Sequence, residues 1–163
     1  MDLSKMSMSQ KLAGGGAALY VIAWFLPWFS FSYGGLANID VTASGSDLNF
    51  FWGTLPFLCA LAVLALVAIP VFAGQVDLSK VPAPAILGAA GLAAFLTILK
   101  LLIGETAFDR SWGLFIAAIA SGVMAYGAFL IFKEGGGDIK NIGASMNKPD
   151  GGSTMPPPPP PPA

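Results

Sequence analysis

Polar residues almost vanish from four stretches of the chain. Residues 11–28 (KLAGGGAALYVIAWFLPW), 50–72 (FFWGTLPFLCALAVLALVAIPVF), 84–103 (PAILGAAGLAAFLTILKLLI) and 112–132 (WGLFIAAIASGVMAYGAFLIF) carry one charge well inside a run, Lys100, with Lys11 at the first boundary. At about 1.5 Å per residue such runs reach roughly 27–35 Å, enough to cross a hydrocarbon core of about 30 Å. The pattern predicts an all-α membrane protein with four transmembrane helices at 11–28, 50–72, 84–103 and 112–132, forming one domain over 11–132. A soluble core can bury one such helix. A chain of 163 residues that is 55% hydrophobic and 10% charged has no polar shell for four.

Between the first two runs the period changes. Phe29, Phe31 and Tyr33 alternate with Ser30 and Ser32; after Gly34-Gly35, Ile39, Val41 and Ala43 alternate with Asp40 and Thr42. Period two predicts a short β-hairpin, roughly 29–33 with 38–43, lying on the outer surface. The stretch SGSDLN (44–49) reads as a turn whose Asp47 or Asn49 caps helix two, and Asp109 or Ser111 is placed to cap helix four. Pro56 is expected to bend helix two. Pro70 lies near that helix's other end, where Gly74 can stop it.

Charge sets an expected orientation. Lys5, Lys11, Lys80, Lys133, Lys140 and Lys148 fall on one side of the four spans; Arg110 and the end of helix three with Lys100 fall on the other. By the positive-inside rule both termini are cytoplasmic, residues 1–10 forming the cytoplasmic N-terminus. Trp24, Trp28, Trp52 and Trp112, all the tryptophans of the chain, then lie at or near the outer helix ends and are expected as interfacial anchors. Lys100, about one turn from the outer end, is expected to snorkel to the headgroups, with Glu105 and Asp109 in reach of an ion pair. Small residues at steps of four, Ala117, Ser121 and Ala125, are expected to pack helix four against its neighbours. Ala85, Ala89, Gly88 and Gly91 on helix three and Gly14 to Ala18 on helix one offer similar stripes, any of which could also join copies into a homo-oligomer.

From Lys133 onward the chain is polar and rich in glycine, and it ends in Pro156, Pro157, Pro158, Pro159, Pro160, Pro161 and Pro162 before Ala163. Residues 133–163 therefore read as a disordered cytoplasmic tail. Seven prolines in polyproline II form a rod of about 22 Å, a ready ligand for an aromatic-lined groove on a cytoplasmic protein partner, or else a spacer.

Composition removes several chemistries. A net charge of −1 gives no footprint for nucleic acid. One cysteine, Cys59, and no histidine exclude an internal disulfide, a Ser-His-Asp or Cys-His nucleophile, and the usual ligands of zinc, copper or haem. No catalytic residue, metal site or cofactor is expected. The reading is a non-enzymatic accessory or scaffold protein of the lipid bilayer. The alternative is a subunit of a small oligomeric transporter or channel, whose candidate polar liners are Thr54, Thr97, Ser121 and Tyr126. The segments FLPWFSFS, FDRSWGLFIAAIAS and GAFLIFKEGGG resemble small four-helix integral membrane proteins of actinobacteria over residues 11–137. The resemblance implies the four-helix fold and a bacterial inner membrane. It implies no activity and carries over no site residue.

Overall fold

Among the described residues, four helices and a three-stranded sheet make up the fold. The computed structural model describes residues 6–33, 39–73, 83–104, 109–135 and 137, without the side chains of residues 32–33, 39–40 and 70–73. The proline run, most of the tail, residues 1–5, the Gly34-Gly35 turn, the loop with Gly74 and Lys80, and Glu105 lie outside the described residues.

Helix α1 spans Met8–Trp24. It starts there because Ser7 and Gln10 form a capping box: the Gln10 N–H donates to Ser7 Oγ (3.3 Å), and the Ser7 N–H donates to Gln10 Oε1 (3.1 Å). It stops at Trp24, short of the expected residue 28. The physical cause is Pro27, whose ring pushes Leu26 out of the helical region and whose missing N–H ends the ladder. Pro27 instead opens strand β1 (Pro27–Tyr33), which pairs antiparallel with β2 (Ile39–Ser44).

The hairpin register is Phe29↔Ala43, Phe31↔Val41 and Tyr33↔Ile39. Between Pro27↔Ser44 and Phe29↔Ala43 the register shifts, leaving Trp28 as the extra residue of a bulge. A bulge re-aims a side chain against strict alternation. It accounts for consecutive Trp28 and Phe29 both being buried. A third strand that sequence periodicity could not predict, β3 (Asp109–Arg110), adds to the other side of β1, giving the order β2-β1-β3.

Helix α2 (Leu55–Ala73) is entered through a π-helical turn, Phe50–Thr54, in which the Leu55 N–H reaches back to the Phe50 carbonyl. The wide turn sits immediately before Pro56, which has no N–H to offer. Of the two expected caps, Asn49 acts: its side chain accepts from the Trp52 N–H at 3.2 Å. Asp47 closes the short turn Gly45–Asp47, accepting from the Ser44 N–H (2.7 Å) and Ser44 Oγ (2.8 Å). Those two bonds hold its carboxyl below the usual range. Helices α3 (Ala83–Ile103) and α4 (Trp112–Glu134) follow. Ser111 takes the N-cap position of α4, but its side chain makes no capping bond, and Asp109 is in β3 instead.

Among the described residues three helices, at Phe50–Ile69, Ala83–Ile103 and Trp112–Glu134, are long and apolar enough to cross a membrane. Helix α1, at 17 residues, is the shortest of the four. The bundle interior combines small and large side chains: Ala13, Ala17, Ala60, Ala90, Ala93, Ala117, Ala120 and Ala128 are fully buried, and so are Tyr20, Val63, Leu114 and Met124. Helices α1 and α4 meet backbone to backbone. A Cβ at Gly16 would lie 2.5 Å from the Met124 nitrogen, and one at Gly127 would run into the Ala13 backbone. Close approach of this kind is how helices gain attraction where lipid removes the hydrophobic drive between them.

The small-residue stripes divide accordingly. Ala117 and Ser121 face the core and Ala125 is half-buried, while Ser121 Oγ donates to its own helix at the Ala118 carbonyl (2.8 Å). Of the stripe expected on α3, Ala89 is half-buried and packs against the core, whereas nothing lies within 4 Å of a Cβ at Gly88 or Gly91, and Ala85 is exposed. α3 packs through Ile86, Ala90, Ala93 and Thr97. At the end of the bundle away from the sheet, fully buried Ser9 donates to Glu134 Oε2 at 2.6 Å, tying the start of α1 to the end of α4.

Candidate functional site at the sheet-capped end

The polar and aromatic residues concentrate where the sheet covers the helix ends. β1 runs across this end, anchored by the Ser111 N–H donating to the Trp28 carbonyl (2.8 Å). The bulge sends Trp28 into the core, where its Nε1–H donates to the Ala23 carbonyl at 2.8 Å. Its ring meets Tyr20 edge to face at 6.3 Å. Tyr20 in turn shares a 2.8 Å hydrogen bond with Thr97 Oγ1, and Thr97 donates to the Ala93 carbonyl of its own helix. A buried polar pair thus bridges α1 and α3.

One turn beyond Thr97 on the same face of α3 lies Lys100. It is 4% exposed, so it does not snorkel out of the protein as the sequence suggested. Its Nζ sits 5.4 Å from the Phe29 ring centroid and 5.4 Å from the Trp52 ring centroid. Two aromatic faces, one from β1 and one from the π-turn, therefore hold the ammonium. A desolvated cation–π contact contributes about 2 kcal/mol, which offsets part of the several kcal/mol that burying a cation costs. The C-terminal turn of α3 favours positive charge as well. Arg110, on β3, reinforces it by donating from Nη2 to the Leu102 carbonyl at 3.0 Å, while Gly104, with φ of 67°, turns the chain out of the helix.

The four tryptophans expected as interfacial anchors occupy four different settings. Trp112 is 55% exposed. Trp24 is half-buried, stacked on Phe57 at 4.0 Å, with Nε1–H donating to the Gly53 carbonyl at 3.1 Å. Trp52 is half-buried under Lys100. Trp28 is wholly inside the protein, so its indole N–H finds its partner there and not at the headgroups. Sequence reasoning missed Phe29, Tyr20 and Thr97 as a group with Lys100. The spacing Thr97–Lys100 was a usable signal; the return of β1 over the helix ends was not.

These features define a class, a helical membrane protein whose bundle is closed at one end by a small sheet. Compared with protein-family models, with curated proteins and with solved structures, the chain finds no match.

Proposed function

We propose that the protein is a four-span membrane scaffold or accessory protein, non-enzymatic, with both termini in the cytoplasm and a tail that docks a cytoplasmic partner. The observation that carries this reading is the filling of the bundle. Buried alanines line its helices beside larger side chains such as Tyr20, Val63 and Met124, and α1 meets α4 backbone to backbone, the build of a rigid frame. Helix α1 supports a fourth span: its 17 residues rise about 26 Å, and β1 continues the chain across the capped end. The lysine distribution supports the orientation, and the resemblance of residues 11–137 supports a bacterial inner membrane.

The test is a crosslinking pull-down from native membranes with the full chain and with a chain ending at Lys148. The expected result is a cytoplasmic protein captured by the full chain and lost on truncation, with insertion unchanged. The same set of partners from both forms rules out the tail as the docking segment.

A second reading, a subunit of an oligomeric channel or transporter, is favoured by one observation: a lysine buried within a span is a functional candidate by default. In purified vesicles the scaffold reading expects no protein-dependent ion flux, and Lys100→Leu leaves that baseline unchanged. Flux that is present in the natural chain and lost in an inserted Lys100→Leu variant decides for the channel.

A further inference from the structure

Every helix carries large, exposed apolar side chains at the end that meets the sheet. Phe25 follows the last turn of α1, Phe50 and Phe51 lead into α2, Leu102 and Ile103 close α3, and Trp112 opens α4. Their exposures run from 52% to 70%. Contacts between the elements put these side chains at one end of the bundle. The indole N–H of Trp24, next to Phe25, donates to the Gly53 carbonyl, two residues past Phe51. The Trp52 ring faces the Nζ of Lys100, two residues before Leu102. A Cβ at Gly113, next to Trp112, would run into the Pro27 carbonyl oxygen. Because α1 packs against α2 and α4, and α3 packs against the same two, the side chains form a collar around the bundle and not a patch on one side. On one side of the collar the chain turns polar: Ser46, Asp47 and Asn49 are exposed ahead of Phe50, and Asp109 and Arg110 ahead of Trp112. Among the described side chains of the strands, Val41 is the only large apolar one exposed. In the other direction the exposed surface stays apolar, through Ile22 on α1, Leu58 on α2, Phe95 on α3 and Ile119 on α4. α4 meets no charge until exposed Lys133, about 32 Å from Trp112 at 1.5 Å per residue.

We propose that this collar is where the bundle meets the headgroup–acyl boundary of a bilayer leaflet, with phospholipid as its occupant on every side. The inference rests on the membrane reading above and sets the depth at which the protein sits. Two observations select lipid. A protein partner covers one side of a bundle, whereas all four helices contribute here. The span from Trp112 to Lys133 also matches a hydrocarbon core of about 30 Å, so an aromatic-rich rim and an exposed cation fall at opposite edges, where each is favoured. α1 then faces lipid through Leu19, Ile22 and Phe25 in spite of its 17 residues, because Phe25 carries the apolar face past the helix end. Sidedness does not enter: the collar marks an edge whichever face of the membrane it lies on.

The test uses the full chain with Cys59→Ser, reconstituted in vesicles of phosphatidylcholine and phosphatidylglycerol, with a nitroxide on one introduced cysteine at a time. Phe25→Cys, Phe50→Cys, Leu102→Cys and Trp112→Cys sample the collar on each helix. Phe95→Cys and Ile119→Cys sample the spans, and Ser46→Cys and Asp109→Cys the polar segments. All of these side chains are exposed, so the label displaces no packed core. Collisions with oxygen, which concentrates among the acyl chains, are compared with collisions with a water-soluble nickel chelate. The expected ratio of oxygen to nickel collisions is several-fold higher at Phe95 and Ile119 than at Ser46 and Asp109, with the four collar sites between them at one common value. A collar site shielded from both reagents overturns the proposal, since a protein then covers that side. Collar ratios as low as at Ser46, or as high as at Phe95, overturn it by placing the edge elsewhere, while high ratios in the spans keep the membrane reading intact. Low ratios at Phe95 and Ile119 sink the membrane reading itself and the collar with it.

Discussion

Adding one methyl group to two adjacent glycines of α1 is expected to change stability in opposite directions. Gly15→Ala should stabilise the protein by up to about 1 kcal/mol, because glycine is the weaker helix former and nothing lies within 4 Å of the added Cβ. Gly16→Ala should destabilise it by about 1–3 kcal/mol, the usual range for overpacking. Its Cβ would fall 2.5 Å from the Met124 nitrogen and 2.9 Å from the Ala120 carbonyl oxygen. Neither neighbour is a side-chain end that can swing away, so the two helices must move apart. Gly127→Ala meets the Ala13 backbone at the same crossing, so its cost and that of Gly16→Ala should not add in the double variant. Thermal unfolding in one detergent, with Gly88→Ala as an exposed control on α3, measures all of these. Equal effects at Gly15 and Gly16 would mean that α1 and α4 are not in backbone contact.

The contrast also shows what the sequence could and could not carry. Four long apolar runs announce four helices because 18 or more apolar residues have few other solutions, and the alternation at 29–33 and 39–43 announces a hairpin because period two fits only a strand. Which glycine touches a neighbour is another matter. GGG at 14–16 and GAAG at 88–91 look alike as text, yet Gly16 is at a helix crossing and Gly88 and Gly91 are open. Rotation of each helix about its axis decides this, and in an evenly apolar helix no polar face reveals the rotation. The start of α1, expected at Lys11, lies at Met8, and the mark of it that the reading of apolar runs passed over is Ser7 and Gln10 at capping-box spacing. Its end was written in Pro27. The burial of Lys100 was not local information at all. It depends on β1 folding back so that Phe29 covers it, and on a π-turn some fifty residues away presenting Trp52.

That same fold-back makes Trp28 the side chain whose loss should cost most. Trp28→Ala is expected to destabilise the protein by about 3–5 kcal/mol, the range for deleting a buried large aromatic. Trp112→Ala should change stability by less than about 0.5 kcal/mol, as for most exposed positions. The two would behave alike if both were only anchors at the membrane surface, so the comparison separates a role inside the protein from one against lipid. Trp28 is fully buried, and its ring contacts Tyr20, so its removal leaves a cavity beneath the sheet and beside the Tyr20–Thr97 bond. Trp28→Phe keeps most of the ring and loses the bond to the Ala23 carbonyl. That carbonyl still accepts from the Leu26 N–H at 3.1 Å, so the lost bond itself should cost only about 1 kcal/mol. The site of the damage is predictable too. Amide exchange should quicken in β1 and β2 before it quickens in α3 and α4, because Trp28 joins the strand to the end of α1 while the α3–α4 contact does not involve it. Uniform loosening of all four helices would instead make the cap an integral part of the bundle's stability, with no separate cooperative unit at the sheet.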